Sequence, residues 1–195
     1  MEYKIHPHVE LGEGAEIGFF VIVGEPPRGR KPGDLKTLIG LGAVIRSHTV
    51  IYAGNRIGKN FQTGHFVMIR EENEIGDDVS IGTGTVVEHH VRIGDGVRIH
   101  SNAFIPEFCV LHEGCWIGPN VVLTNAKYPN RPDTKKNLRG VTVGRHVVVG
   151  ANVTILPGLN IGENALIGAG AIVTKDVPKG SVVYASPGVF KCSSL

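Results

Sequence analysis

The chain of 195 residues has little net charge and no long apolar segment. A formal net charge of +2 is too small to favour a nucleic acid as the main partner. No apolar run approaches the roughly 20 residues that cross a bilayer. The charged start MEYKIHPHVE does not have the pattern of a signal peptide. We therefore expect a cytoplasmic protein that binds neither nucleic acid nor membrane.

Cysteine is too scarce to provide a disulfide framework. The three cysteines, Cys109, Cys115 and Cys192, are odd in number and contain no C-x-x-C pair. The sequence therefore predicts no disulfide scaffold and no cysteine-based metal knuckle.

What the chain does have is an aliphatic residue at almost every sixth position. Three blocks, 5–23, 39–123 and 143–173, contain 25 such positions, of which 24 are Ile, Leu or Val and one is Thr63. A helical period of 3.6 cannot produce strict sixes, whereas a parallel β-helix does. The sequence therefore predicts an all-β hexapeptide-repeat solenoid of about eight coils. Three short strands form each coil of 18 residues.

The whole chain, 1–195, is predicted to form a single β-helix domain with two inserted loops. The repeat is interrupted at 24–38 and at 124–142, and we assign 177–195 to a C-terminal tail. Both loops are basic, and insertions in a solenoid often line the binding face. They are either solvated surface or contacts for anionic phosphates or for a neighbouring subunit.

A coil of 18 residues makes residues 18 apart vertical neighbours, and two polar columns result. Glu71, His89 and Glu107 form one column, in which a carboxylate next to an imidazole fixes its tautomer. The other column is Ser47, His65, Thr83 and Ser101, with Asn102 beside it. Alternating charge on a solvated edge would produce the same pattern. Cys109 and Cys115 fall in small inward positions and are interpreted as core residues.

Two stretches resemble the hexapeptide-repeat acyltransferases, whose fold is a left-handed parallel β-helix. They are RIHSNAFIPEFCVLHEGCWIGPNVVLTN and VGANVTILPGLNIGENALIGAGAIVTKDVPKGSVVYASPG. The first is similar to the N-acetyltransferases that act on nucleotide-linked 3-amino sugars for surface polysaccharides. The resemblance implies acetyl-CoA as donor, a nucleotide sugar as acceptor, and a homotrimer with its active site in a groove between two subunits.

The resemblance also implies roles for individual residues. Asn102 would orient the amine or the thioester carbonyl, and Glu107 with His89 would deprotonate the amine, with His65 as a further candidate. Ser101, Asn125 and Arg131 are expected to contact the acceptor. The residues implied for CoA are small, for its pantetheine arm, or basic, for its phosphates: Gly150, Ala151, Gly168, Ala169, Lys175 and Lys179. Turn geometry is the alternative explanation for the glycines.

Three alternatives stay open beside this prediction. O-acetyltransferases of the superfamily place a histidine in the loop before the final coils, and TNAKYPNRPDTKKNLRG has none, which favours an amine acceptor. The γ-type carbonic anhydrases need three histidines, two of them as H-x-x-x-x-H, and no two histidines here have that spacing. We therefore expect no metal. A non-catalytic trimeric scaffold is the third alternative.

Overall fold

The computed structural model describes residues 3–185, which form a left-handed parallel β-helix with three parallel sheets. The first sheet contains β1 (Tyr3–Ile5), β4 (Val21–Glu25), β7 (Val50–Tyr52), β10 (Met68–Ile69), β13 (Val86–Val87), β16 (Phe104–Ile105), β19 (Val122–Leu123), β22 (Thr154–Ile155) and β25 (Ile172–Val173). The second sheet contains β2 (Val9–Leu11), β5 (Thr37–Ile39), β8 (Arg56–Ile57), β11 (Glu74–Ile75), β14 (Arg92–Ile93), β17 (Val110–Leu111), β20 (Thr142–Val143) and β23 (Asn160–Ile161). The third sheet contains β3 (Glu16–Ile17), β6 (Val44–Ile45), β9 (Gln62–Thr63), β12 (Ser80–Ile81), β15 (Arg98–Ile99), β18 (Trp116–Ile117), β21 (Val148–Val149), β24 (Leu166–Ile167) and β26 (Val182–Val183).

The six-residue period forms these strands because each strand points one aliphatic side chain inward. Strands β1 to β25 each contain one of the 25 repeat positions. Ile51, Ile69 and Val87 pair in register, 18 residues apart, as the sequence predicts. All repeat positions are buried except the three in the first coil, which lie at the open end of the stack.

The stack has nine levels of strands in two of its sheets, one more than the predicted eight coils. The ninth level begins with β25 in the first sheet and continues into the segment 177–195, where Val177 bridges to Ile161 and β26 pairs with β24. The solenoid therefore continues to residue 183. Positions 186–195 of the predicted tail, including Cys192, lie outside the described residues.

Both interruptions of the repeat occur where the chain passes from the first sheet to the second. The first lies between β4 and β5, and the second between β19 and β20. The second contains a 3₁₀ turn at Thr134–Lys136, the one helical element between residues 3 and 185. No helix in that range is long and apolar enough to cross a membrane.

Small polar and sulfur-containing side chains complete the interior. Asn55 Oδ1 accepts the N–H of Asn73 at 2.9 Å, and Asn73 Oδ1 accepts the N–H of Val91 at 2.7 Å. Burial raises the pKa of the Cys109 and Cys115 thiols to about 12. These thiols are core groups and not nucleophiles.

The outer faces of the sheets differ in polarity. The first sheet points an apolar row outward: Ile22, Val50, Met68, Val86, Phe104, Val122 and Ile172. On the second sheet the outward row includes the charged residues Glu10, Arg56, Glu74 and Arg92. The polar positions of the first row are Lys4 and Thr154, so the uninterrupted apolar part runs from Ile22 to Val122. An apolar row of this length is unusual for a surface that faces only water.

Candidate functional site

The predicted site residues lie at the corners between sheets. We call the corners first, second and third according to the sheet whose strands they follow. The first corner carries His89, Glu107, Asn125 and Lys175, and the loop 124–142 that contains Arg131 begins there. The third corner carries His65, Ser101, Asn102, Gly150, Ala151, Gly168 and Ala169. Lys179 lies on the second corner.

At the first corner, a carboxylate is held from both sides along the stack. His89 Nε2 lies 3.2 Å from Glu107 Oε1, and Asn125 Nδ2 donates to Glu107 Oε2. The same amide also lies 3.4 Å from the Glu107 main-chain oxygen. All three residues are half-buried. The column rule predicted that His89 and Glu107 are vertical neighbours, and the structure adds Asn125, 18 residues after Glu107, to the same column.

His89 has a second ring nitrogen with an unusual environment. Its Nδ1 is buried and has no hydrogen-bond partner among the described residues. Buried polar atoms are nearly always hydrogen-bonded. When Nε2–H donates to Glu107, Nδ1 carries the free lone pair and is able to accept a proton.

In the coil that precedes His89, Arg70 forms hydrogen bonds with two further carboxylates. Arg70 Nε is 2.8 Å from Glu71 Oε2, and Arg70 Nη1 is 3.2 Å from Glu88 Oε2. Burial alone would raise the pKa of Glu71, but the hydrogen bonds from Arg70 and the nearby charges outweigh it and lower that pKa. The first corner is therefore a ladder of paired charges.

Three residues of this ladder come close to metal-binding geometry. One ligand atom from each of Glu88, His89 and Glu107 lies within 4.8 Å of the others. Arg70 Nη1 lies 3.2 Å from Glu88 Oε2 while the same guanidinium also bonds Glu71, and Asn125 donates to Glu107. Each carboxylate of the cluster therefore has a hydrogen-bond donor from the protein.

The loop 124–142 encloses a cavity of 320 Å³ that begins at Asn125. Apolar atoms form most of its surface, but its lining residues include three cations: Asn125, Ala126, Lys127, Tyr128, Arg131, Asp133, Thr134, Asn137, Arg139 and Pro157. Arg131, predicted to contact the acceptor, therefore lines the same cavity as Asn125, whose amide contacts Glu107. Tyr128 and Pro157 line the cavity but were not predicted from the sequence as site residues. Leu123 pairs with Ile155 across the inserted loop, which places Pro157 directly after Asn125 in the first-corner column. The repeat on either side of the loop could therefore have identified Pro157.

The third corner holds the remaining predicted catalytic residues. Ser47 Oγ lies 2.8 Å from His65 Nδ1, and the His65 N–H donates to Thr83 Oγ1 at 3.2 Å. Asn102 is exposed, with φ of 59°. Strand β16 separates it from Glu107, five residues later, which is roughly 15 Å of extended chain. One chain alone does not bring Asn102 and Glu107 together.

The residues predicted for CoA are also divided among the corners. Gly150, Ala151, Gly168 and Ala169 form one small-residue surface on the third corner. A Cβ on Gly150 would lie 2.5 Å from the Ala169 nitrogen, so coil stacking by itself requires this glycine.

The two predicted CoA lysines lie away from that surface. Lys175 is exposed on the first corner. Lys179 Nζ is 3.0 Å from Glu163 Oε2, and this hydrogen bond lowers the pKa of Glu163.

Comparisons with known proteins agree with this fold. The family described as bacterial transferase hexapeptide (six repeats) matches residues 74–107 and 140–175. The galactoside O-acetyltransferase of Lactococcus lactis is 41% identical over 78 residues, 38% of each chain. The Escherichia coli enzyme of that name is 41% identical over 75 residues, which are 36% of this chain and 37% of that protein. The matched region thus spans less than two-fifths of either relative.

A solved structure extends the likeness of fold over most of the chain. The UDP-N-acetylglucosamine acyltransferase from Campylobacter jejuni has a TM-score of 0.57 and 24% sequence identity. The superposition covers 89% of this chain and 68% of that protein.

Proposed function

We propose that this chain, whose residues 74–107 and 140–175 match the bacterial transferase hexapeptide family, is an acetyl-CoA-dependent acetyltransferase acting on the amine of a nucleotide-linked amino sugar. One observation carries the proposal. The Glu107 carboxylate is held between His89 and Asn125, and Asn125 also lines the cavity under the loop 124–142, which carries three cations. Acyl transfer to a protonated amine requires a positioned proton acceptor close to the space that the amine occupies.

The chemistry follows from this arrangement. The Glu107–His89 pair takes one proton from the ammonium group, and the free lone pair of the nitrogen attacks the thioester carbonyl. Donors to the carbonyl oxygen stabilise the tetrahedral intermediate. When the C–S bond breaks, the acetyl group stays on nitrogen and the CoA thiolate takes up the second amine proton. Asn125 orients Glu107 throughout, because its amide fixes one carboxylate oxygen.

A homotrimer supplies the groups that one chain keeps apart. The apolar outer row of the first sheet is the surface best suited to contact another copy. The first and third corners flank this sheet, so packing through it would place the first corner of one subunit beside the third corner of its neighbour. Asn102, Ser101 and His65 of the neighbour would then face Glu107 across a groove. Acetyl-CoA would lie along the small residues of the third corner.

O-acetylation of a sugar hydroxyl is the second candidate. Both relatives described above are named galactoside O-acetyltransferases, and a histidine with a free buried nitrogen suits a hydroxyl acceptor. The absence of histidine from positions 124–142 favours the amine.

The test is release of CoA thiol from acetyl-CoA with UDP- and dTDP-linked 3-amino sugars and their matched hydroxyl sugars. We expect turnover with amino sugars only, and a loss of kcat/KM of roughly 10²- to 10⁴-fold in Glu107→Gln. Asn102→Ala should also lose activity. Glu74→Gln, on the outer face of the second sheet, is the control. Turnover with hydroxyl sugars alone would establish the second candidate, and no thiol release with either series would overturn both.

A further inference from the structure

The cavity under the loop 124–142 has more positive charge than its surroundings neutralise. Lys127, Arg131 and Arg139 line it, and none of them forms a salt bridge within residues 3–185. The one acidic lining residue, Asp133, accepts a hydrogen bond from Asn137 Nδ2 at 2.9 Å. Three cations against one carboxylate leave a formal charge of +2 around a concave space.

The loop holds these cations in place without a ligand. The Arg131 guanidinium lies over the Tyr128 ring, 4.2 Å from its centroid, and Lys127 Nζ lies 5.6 Å from the same centroid. The Thr134 hydroxyl is 2.8 Å from the carbonyl oxygens of both Tyr128 and Arg131. A cation fixed in advance loses less conformational entropy when it binds an anion.

Arg139 is anchored to the solenoid itself. Its N–H donates to the Asn125 carbonyl at 2.9 Å, and its own carbonyl accepts the Gly158 N–H at 3.0 Å. A Cβ on Gly158 would lie 3.3 Å from the Arg139 Cβ, so the glycine leaves room for the arginine stem. The backbone of Arg139 is thus tied to the residue that orients Glu107.

We propose that this cavity binds a diphosphate group, with Lys127, Arg131 and Arg139 as its ligands. Guanidinium groups bind phosphate oxygens in pairs, and an ammonium group adds a point charge. A volume of 320 Å³ is at the lower end of small-molecule sites, large enough for a diphosphate and part of what it carries. The assignment of the diphosphate to an acceptor or donor substrate rests on the proposed function, since nucleotide sugars and CoA both contain this group.

The experiment is calorimetric titration of the full chain with UDP, dTDP, CoA and inorganic pyrophosphate. The variants are Lys127→Met, Arg131→Met and Arg139→Met. Lys136→Met is the control, because it removes an equal charge from the same loop without lining the cavity. Loss of one charge-assisted hydrogen bond should weaken binding by roughly 10- to 100-fold. The control should bind as the wild type does.

Weaker binding of UDP and dTDP in the three variants supports the site and assigns it to the nucleotide sugar. Weaker binding of CoA alone supports the site and assigns it to the acyl donor. Wild-type affinity in all three variants would overturn the inference, as would equal losses in Lys136→Met or no binding of any probe to the wild type.

The inference and the proposed function fail separately. If the protein binds diphosphate but transfers no acetyl group, only the proposed acetyltransferase function is refuted. Thiol release that is lost in Glu107→Gln but keeps the wild-type KM in Lys127→Met, Arg131→Met and Arg139→Met refutes only the diphosphate site.

Discussion

The apolar outer row of the first sheet leads to a prediction about assembly. Phe104 lies within this row, opposite Val86 and Val122, and 37% of its surface is exposed in a single chain. If three copies pack through the first sheet, Phe104→Asp should dissociate the trimer and leave each chain folded. The aromatic ring points outward, so its loss would remove area from that contact and leave the interior of the solenoid unchanged.

The size of the effect follows from the exposed area. A phenylalanine side chain buries about 200 Å² when fully covered, so 37% corresponds to about 75 Å². At about 25 cal/mol per Å², covering this area contributes about 2 kcal/mol per subunit. Three subunits together lose about 6 kcal/mol, or about 10⁴-fold in the assembly constant. The desolvation of the new carboxylate increases this loss.

Analytical ultracentrifugation over a range of protein concentrations measures the change. The wild type should sediment as a trimer of 20.9 kDa chains, and Phe104→Asp as a monomer at the same concentration. Val110→Asp is the control, because Val110 points outward from the second sheet and acquires the same charge. A wild-type monomer, or a Phe104→Asp protein that stays trimeric at all concentrations, would refute the assignment of this face.

Two further predictions concern stability. Glu71→Gln should lower the free energy of unfolding at pH 7 by about 1.5 kcal/mol, because Arg70 loses a charged partner. The pKa of Glu71 in the folded protein is below the ordinary value of 4.5. The difference in free energy of unfolding between the wild type and Glu71→Gln is therefore fully present above pH 4.5 and disappears as the pH falls through the folded pKa. Urea unfolding of both proteins at pH 7 and pH 3 measures this, and an equal difference at the two pH values would contradict it. Asn73→Ala should cost about 1 to 3 kcal/mol in the same assay at pH 7, because it leaves the buried Val91 N–H without a partner and removes one of the two amide donors to the Arg70 carbonyl. Asn160→Ala, at an exposed strand position, should change little, and equal losses would contradict the explanation.

The fold was predictable because its information is local and repeated. Each coil specifies its own strands through residues two and six positions apart, and vertical pairing needs only the constant offset of 18. The contact between His89 and Glu107 follows from the same offset. Where the coil length changes, the rule fails. Val177 pairs with Ile161, only 16 residues earlier, which places Lys179 against Glu163 on the second corner.

The loop 124–142 shows the limit of such reasoning. Its positive charge and its departure from the repeat were visible in the sequence, but its internal geometry was not. Arg139 returns to Asn125 and Gly158 through backbone hydrogen bonds, and Tyr128 turns its ring under Arg131. The residues joined by these contacts are not separated by a multiple of the six-residue repeat, so the repeat could not predict them.

The sequence by itself determined the solenoid, its coil length and its polar columns, because an inward aliphatic at every sixth residue admits one regular way of burial. Only the tertiary structure decided which corner each candidate occupies, that Asn102 and Glu107 stand on opposite sides of a strand, and that three cations enclose a cavity. These features depend on long-range contacts in the loop and on the shortened last coil, where spacing along the chain no longer determines position in space.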